Sequence, residues 1–181
     1  MDREQALSLV KEKVKTNNLV KHMLATEACM KKLAVYFSED VGKWGISGLL
    51  HDVDYDETKD DFDKHGIVSA ELLQDMGVSE DIVNAIKAHS GKKDIENKLE
   101  QAIYSVDPLT GLIVAAALMH PSRKINDIDV QFVMNRFKEK RFAAGADRNQ
   151  IMTCEKLGIS LEEFAGMCLE AMQGIGKELG L

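Results

Sequence analysis

Apolar residues recur at spacings of three and four along nearly the whole chain, the period of an amphipathic helix. Ala6, Leu7, Val10 and Val14 mark a first helix. Asn17-Asn18 breaks that pattern and caps a second, whose stripe is Leu19, Val20, Met23, Leu24, Leu33, Ala34 and Phe37. A short helix is predicted from Trp44 to His51. Helices resume from Gly66 to Met76, and then from a cap at Ser79 to His89, with Asp81 suiting the dipole of its first turn. A long pattern spans Ile95 to Met119. Pro108 inside it removes a backbone donor and predicts a kink or a restart near Asp107. Later helices are expected over Asp127 to Phe137 and Asp147 to Leu157. A last one starts at Ser160, where Ser160-Leu161-Glu162-Glu163 fits a capping box.

The stretch Val53 to Lys64, containing DYDETKDDFDK, has little apolar material and reads as an exposed acidic loop. No β-alternating run of useful length exists, and there is no internal repeat. The predicted fold class is therefore all-α, a single helical bundle. Residues 1–120 form the main unit, with its core over 18–120, and residues 121–181 add C-terminal helices packed on the same domain.

Composition narrows the function without naming it. A chain of 181 residues, 45% hydrophobic and with 2 prolines, suits one well-formed core. The net charge of −7 offers no broad attraction for a nucleic-acid polymer or an anionic membrane. Cys29, Cys154 and Cys168 form no C-x-x-C pair and read as buried thiols in a reducing compartment. The N-terminus lacks the basic start and apolar run of a signal peptide, and the apolar stretch Leu109 to Met119 is short for a bilayer. A soluble, cytoplasmic protein is the expectation.

The chemistry gathers around the histidines, of which there are 5. His51 is followed at once by Asp52 at the end of an apolar helical run. The pair offers one nitrogen and one hard oxygen ligand, a mixture suited to Mn, Fe, Zn or Mg. Two ligands need partners. His22 lies on the preceding amphipathic helix. Asp107 sits between Val106 and Pro108-Leu109 in a largely apolar stretch, where a carboxylate needs compensation. A metal ion would provide it; a helix cap at the Pro108 interruption would do so equally well.

This order, His22, then His51-Asp52, then Asp107, resembles the H…HD…D pattern of the HD superfamily of metal-dependent phosphohydrolases. The strings GLLHDVDYD (48–56), KHGIVSAELL (64–73), AIKAHSG (85–91) and AIYSVDPLTGLI (102–113) resemble that family too. The resemblance implies that His22, His51, Asp52 and Asp107 hold one divalent metal ion. Members with two metals add two histidines between the HD pair and the final Asp, and His65 and His89 stand in that interval. They are expected to bind a second ion. With one metal alone, they would grip the phosphate or protonate the leaving oxygen. His120 lies outside the pattern and is read as structural or solvent-facing. The implied catalytic residues are Asp52, His65 and His89, and the implied substrate is a small-molecule phosphate ester or a nucleotide.

Phosphate also calls for cationic donors. The candidates are Lys64, Arg123-Lys124, the cluster Lys138 to Arg141, and Arg148. From these, Lys64 beside His65 is retained, and Arg141 and Arg148 are favoured because small residues (Ala143 to Ala146) separate them and let backbone approach a ligand. The sequence departs from family members that read HD-x-G-K, since HDVDYD places carboxylates there. Asp54 and Asp56 are general acid/base groups, holders of the metal histidines, or parts of the acidic loop, and the loop reading is preferred. Asp56-Glu57 matches the acidic pair of the alarmone-hydrolysing branch only with a shifted offset, and the GYP motif of the cyclic-dinucleotide branch is absent. Two other functions compete: a di-iron oxygenase on the same fold, and a non-catalytic signalling or interaction domain.

Overall fold

A computed structural model describes all 181 residues. The helices are α1 (Arg3–Lys13), α2 (Asn17–Phe37), α3 (Val41–Leu50), α4 (Tyr55–Thr58), α5 (Ile67–Asp75), α6 (Glu80–His89), α7 (Lys98–Met119), α8 (Val130–Lys138), α9 (Arg148–Met152), α10 (Leu161–Gln173) and α11 (Gly176–Leu179), with 3₁₀ turns at Ile125–Asp127 and Thr153–Leu157. No strand is present, so the chain is all-α.

Short polar side chains set many of the starts. Asp2, Asp40, Asn97, Asp129, Asp147 and Ser160 each accept a hydrogen bond from a first-turn backbone N–H. Several of these differ from the periodicity reading. Asp40 starts α3 ahead of Trp44, and Asn97 starts α7 after Ile95. The two later segments each divide into an α-helix and a 3₁₀ turn. At Ser160 only the serine half of the capping box forms, and the Ser79 hydroxyl makes no cap bond.

Pro108 lies inside a continuous helix and not at a restart. Helix α7 runs through it without interruption, so Asp107 caps nothing. Proline's missing N–H would orphan the carbonyl of Tyr104 one turn back. The Gln150 side-chain amide donates to that carbonyl at 2.8 Å, supplying the missing bond from α9. Helix α7 is long and apolar enough to cross a bilayer by length and composition, yet 56% of that stretch is buried against other helices, as in a core helix.

Two hydrophobic clusters build the interior. A smaller one joins α1, α3, α5 and α6 through residues such as Val10, Leu49, Leu50, Leu73 and Ile86. A larger one joins α2 and α7 to the C-terminal helices, with Leu33, Ile103, Leu109, Phe164, Cys168 and Met172 in contact. All three cysteines are buried and unpaired, as expected. The C-terminal helices thus share a core with α2 and α7. Phe164 is fully buried there. Phe164→Ala should cost about 3–5 kcal/mol, read as a lowered midpoint in a single urea transition; a separate, early C-terminal transition would contradict the shared core.

The helices that carry the site approach closely. A Cβ on Gly48 would sit 2.9 Å from the Thr26 backbone, so glycine is what lets α3 cross against α2. Gly66, at φ +79°, occupies the left-handed region and lies so near Ser90 that any side chain would collide. That contact sets the start of α5 against the end of α6.

Candidate metal centre

The six His and Asp residues of the family-like pattern converge where these elements meet. His22 projects from the second turn of α2, and His51-Asp52 follow the last residue of α3. His65 precedes the Gly66 turn, His89 ends α6, and Asp107 lies within α7. His51, Asp52, His65 and His89 are buried.

Each histidine is oriented through its Nδ1. His51 Nδ1–H donates to the Gly48 carbonyl at 2.8 Å, and His89 Nδ1–H donates to the Ile86 carbonyl. His65 Nδ1–H donates to Asp54 Oδ1 at 2.9 Å. The Thr110 hydroxyl donates to the Asp107 carbonyl at 2.8 Å, which leaves its oxygen to accept from His22 Nδ1–H at 2.9 Å. With every Nδ1 so engaged, all four Nε2 atoms present lone pairs to one another.

These lone pairs meet carboxylate oxygens rather than donors. His22 Nε2 is 3.1 Å from His51 Nε2 and 3.1 Å from Asp107 Oδ1. Asp52 Oδ2 faces His22 and His51 at 3.5 and 3.4 Å. Its other oxygen, Oδ1, faces His65 and His89 at 3.4 Å each, while those two Nε2 atoms stand 3.2 Å apart. Ligands about 2.1 Å from one ion are separated by about 3.0 Å in octahedral and about 3.4 Å in tetrahedral geometry. The spacings match this range. Two triads, His22-His51-Asp107 and His51-Asp52-His89, have ligand atoms all within 4.8 Å and can hold an ion. Divided by the two Asp52 oxygens, the cluster has one half at His22, His51 and Asp107, and another at His65 and His89.

A buried set of acceptors without donors requires positive charge. Without a metal, protons supply it. Burial works against a charged His51, but Asp52 and then Asp107 outweigh it and raise the imidazole to about 9. Burial likewise works against the Asp52 carboxylate, and His51 with His89 overcomes it, holding Asp52 at about 2. Asp107 is pulled well below the usual carboxylate range, where hydrogen bonds from His22 and His51 prevail over burial.

The centre opens into a cavity of about 640 Å³. Tyr55, Phe62 and Tyr104 line it together with the amides of Asn18 and Gln150, and no lysine or arginine does. The three cations expected from sequence to bind substrate, Lys64, Arg141 and Arg148, lie outside this lining. Lys64 is exposed and paired with Asp61 at 2.8 Å. Arg141 is exposed and lies outside the lining. Arg148 spends its guanidinium on the carbonyls of Phe137, Glu139, Phe142, Ala143 and Ala146, which fold the 139–147 loop around it. The small-residue stretch nevertheless reaches the cavity through Gly145. His120 stays apart, bonded to Ser122 at 2.8 Å and edge-on to Phe132.

The acidic stretch also needs correcting, because its first carboxylates are not loosely solvated. Asp54 is buried, accepting from His65 Nδ1 and from the backbone N–H groups of Gly66 and Ser69 at 2.9 and 2.8 Å. Burial opposes its charge, yet the His65 and Ser69 bonds hold its carboxyl below the usual range. Asp56 accepts from the Lys15 and Thr16 backbone N–H groups and the Thr16 hydroxyl, tying this segment to the start of α2. Thr110, Gly48 and Gln150 are further supports that the periodicity did not single out. Asp54→Asn should weaken ion binding at the His65-His89 half by about 10–100-fold and leave the other half unchanged, measured by manganese titration; equal weakening of both halves would contradict this division.

Comparison with known proteins bears on the same segment. Ribonuclease Y of Lawsonia intracellularis is 30% identical over 104 residues, which are 57% of this chain and 20% of that protein. Ribonuclease Y of Nitratidesulfovibrio vulgaris is 25% identical over 96 residues, covering 53% of this chain and 18% of that one. An uncharacterised protein of Methanocaldococcus jannaschii is 32% identical over 96 residues, 50% of this chain and 55% of its own length. The chain therefore spans about a fifth of these ribonucleases and about half of the archaeal protein. No solved structure matches it. The HD domain family matches residues 19–129, a span that contains every one of the six converging His and Asp residues. On that match the chain belongs to the HD domain family.

Proposed function

We propose that this chain is a metal-dependent phosphohydrolase acting on a small phosphate ester or nucleotide, with one or two divalent ions in the centre. The observation that carries the reading is the acceptor-only cluster, in which four Nε2 lone pairs meet the two oxygens of Asp52 from opposite sides. His22, His51, Asp52 and Asp107 would hold one ion; Asp52, His65 and His89 would hold the other. Bound there, a divalent ion supplies a Lewis acid that acidifies water and draws charge from a phosphoryl oxygen.

The chain's own residues account for the rest. The Nδ1 bonds fix each ring with Nε2 inward, and Asp52 sets the spacing of the two halves. Tyr55, Tyr104 and the Asn18 and Gln150 amides line the open side, where uncharged groups can orient an ester. A lining without lysine or arginine favours a small substrate over a nucleic-acid strand, whose phosphates are ordinarily met by several cations. The resemblance to ribonuclease Y keeps cleavage of an RNA phosphodiester as the second reading.

Purified protein, stripped of metal and reloaded with Mn²⁺, should release phosphate from at least one member of a phosphomonoester and nucleotide panel, and chelation should abolish the release. Undiminished turnover after chelation would sink the assignment. Iron as the resident metal together with oxygen uptake on reduction would instead favour the di-iron oxygenase reading.

A further inference from the structure

The metal pocket does not end at His22. A second cavity of about 350 Å³ adjoins it and shares His22 and Asn18 as lining residues. On α7 the two are joined by one helical stripe: Asp107 at the metal, then Gly111, Val114 and Leu118 at successive turns. On α2 the matching residues are Asn18, Lys21 and His22. Leu179, Gly180 and Leu181 close the far end.

The chemistry changes along this groove. Its metal end is polar, whereas beyond His22 the walls are the aliphatic side chains of Val114, Leu118, Leu179 and Leu181. Lys21 is the one lysine or arginine that lines this part, and its ammonium rests against Gly180. Gly111 is what makes the space. It lies in the interior of α7 with a helical backbone, where glycine weakens a helix relative to alanine. A Cβ built there meets nothing within 4 Å. The position thus accommodates a side chain freely, and its lack of one leaves the groove open one turn beyond Asp107.

We propose that this groove receives the organic part of the substrate, an aliphatic or aromatic group of roughly a dozen heavy atoms at about 30 Å³ each, while the phosphoryl group lies at the metal centre. The assignment rests on the phosphoester reading above and narrows it to esters with an apolar body.

Alkylphosphonates of increasing chain length, titrated calorimetrically into the Mn²⁺-loaded protein, test it without turnover. Affinity should rise roughly threefold to fourfold for each methylene that enters the groove. Gly111→Leu should abolish that dependence on length and leave methylphosphonate binding and manganese content unchanged. Gly111→Ala, which keeps most of the space, should behave as the parent. Equal affinity for methyl- and hexylphosphonate in the parent, or a dependence that survives Gly111→Leu, would overturn the groove alone. If no phosphonate binds a manganese-loaded protein, the phosphoester reading fails and the groove assignment with it. A concentration-dependent dimer that Gly111→Leu abolishes would assign this face to self-association and overturn the proposal.

Discussion

Asp52→Ala is expected to disable both halves of the centre at once. Asp52 is the one residue with an oxygen toward each histidine pair, Oδ2 at 3.4 Å from His51 and Oδ1 at 3.4 Å from His65 and His89. Its removal would take a ligand from either half's ion and a negative charge from the cluster. Hydrolysis should fall by about 10³-fold or more, since a metal contributes several kcal/mol to the transition state. Tight manganese binding should be lost with it. His89→Ala is the informative contrast, because His89 faces His65 and Asp52 Oδ1 and is not one of the His22, His51 and Asp107 triad, whose ion should stay in place. Equal losses in the two variants would show that the halves are not separately built. Far-ultraviolet circular dichroism of both variants should remain helical, since neither residue belongs to the hydrophobic clusters.

Metal removal should have the second largest effect, this time on stability. An ion at about 100 times its Kd stabilises the fold by about 2.7 kcal/mol. For a domain of this size that corresponds to a Tm shift of about 5–10 °C. The shift should also depend on pH, with a sign fixed by His51. Its folded pKa of about 9 exceeds the ordinary value of 6.5. The resulting stabilisation of the metal-free protein is fully present below pH 6.5 and is lost as pH rises toward 9. Protons compete with the metal over the same window. The Tm difference between manganese-loaded and chelated protein should therefore be greater at pH 8.5 than at pH 6.5. Asp52, held at about 2, titrates well below this window and does not reverse the sign. A difference that shrinks with rising pH would contradict the role given to His51.

The sequence made the helical class legible because its apolar stripes follow one period throughout. It also made the candidate ligands legible, since His22, His51-Asp52, His65, His89 and Asp107 carry side chains seldom placed beside apolar residues without a use. What it hid was support from distant segments. Pro108 signals an interruption to any local reading, and only the fold brings Gln150 across to satisfy Tyr104. Asp54 looks like one acid among many in an acidic run, and its burial depends on where Gly66 and Ser69 fall. Arg148 has the right chemistry for phosphate, but its loop consumes its donors first. The cavity beyond His22 left no motif at all. It arises from a glycine on one helix facing the end of another segment.

Diffraction from manganese-loaded crystals, recorded at the manganese absorption edge, tests the central claim most directly. An anomalous peak among His22, His51 and Asp107 is predicted, and a second ion, where bound, should lie beside His65 and His89 about 3.5–4 Å away, with Asp52 between them. Peaks absent from this cluster, or an ion bound without any oxygen of Asp52, would contradict the account.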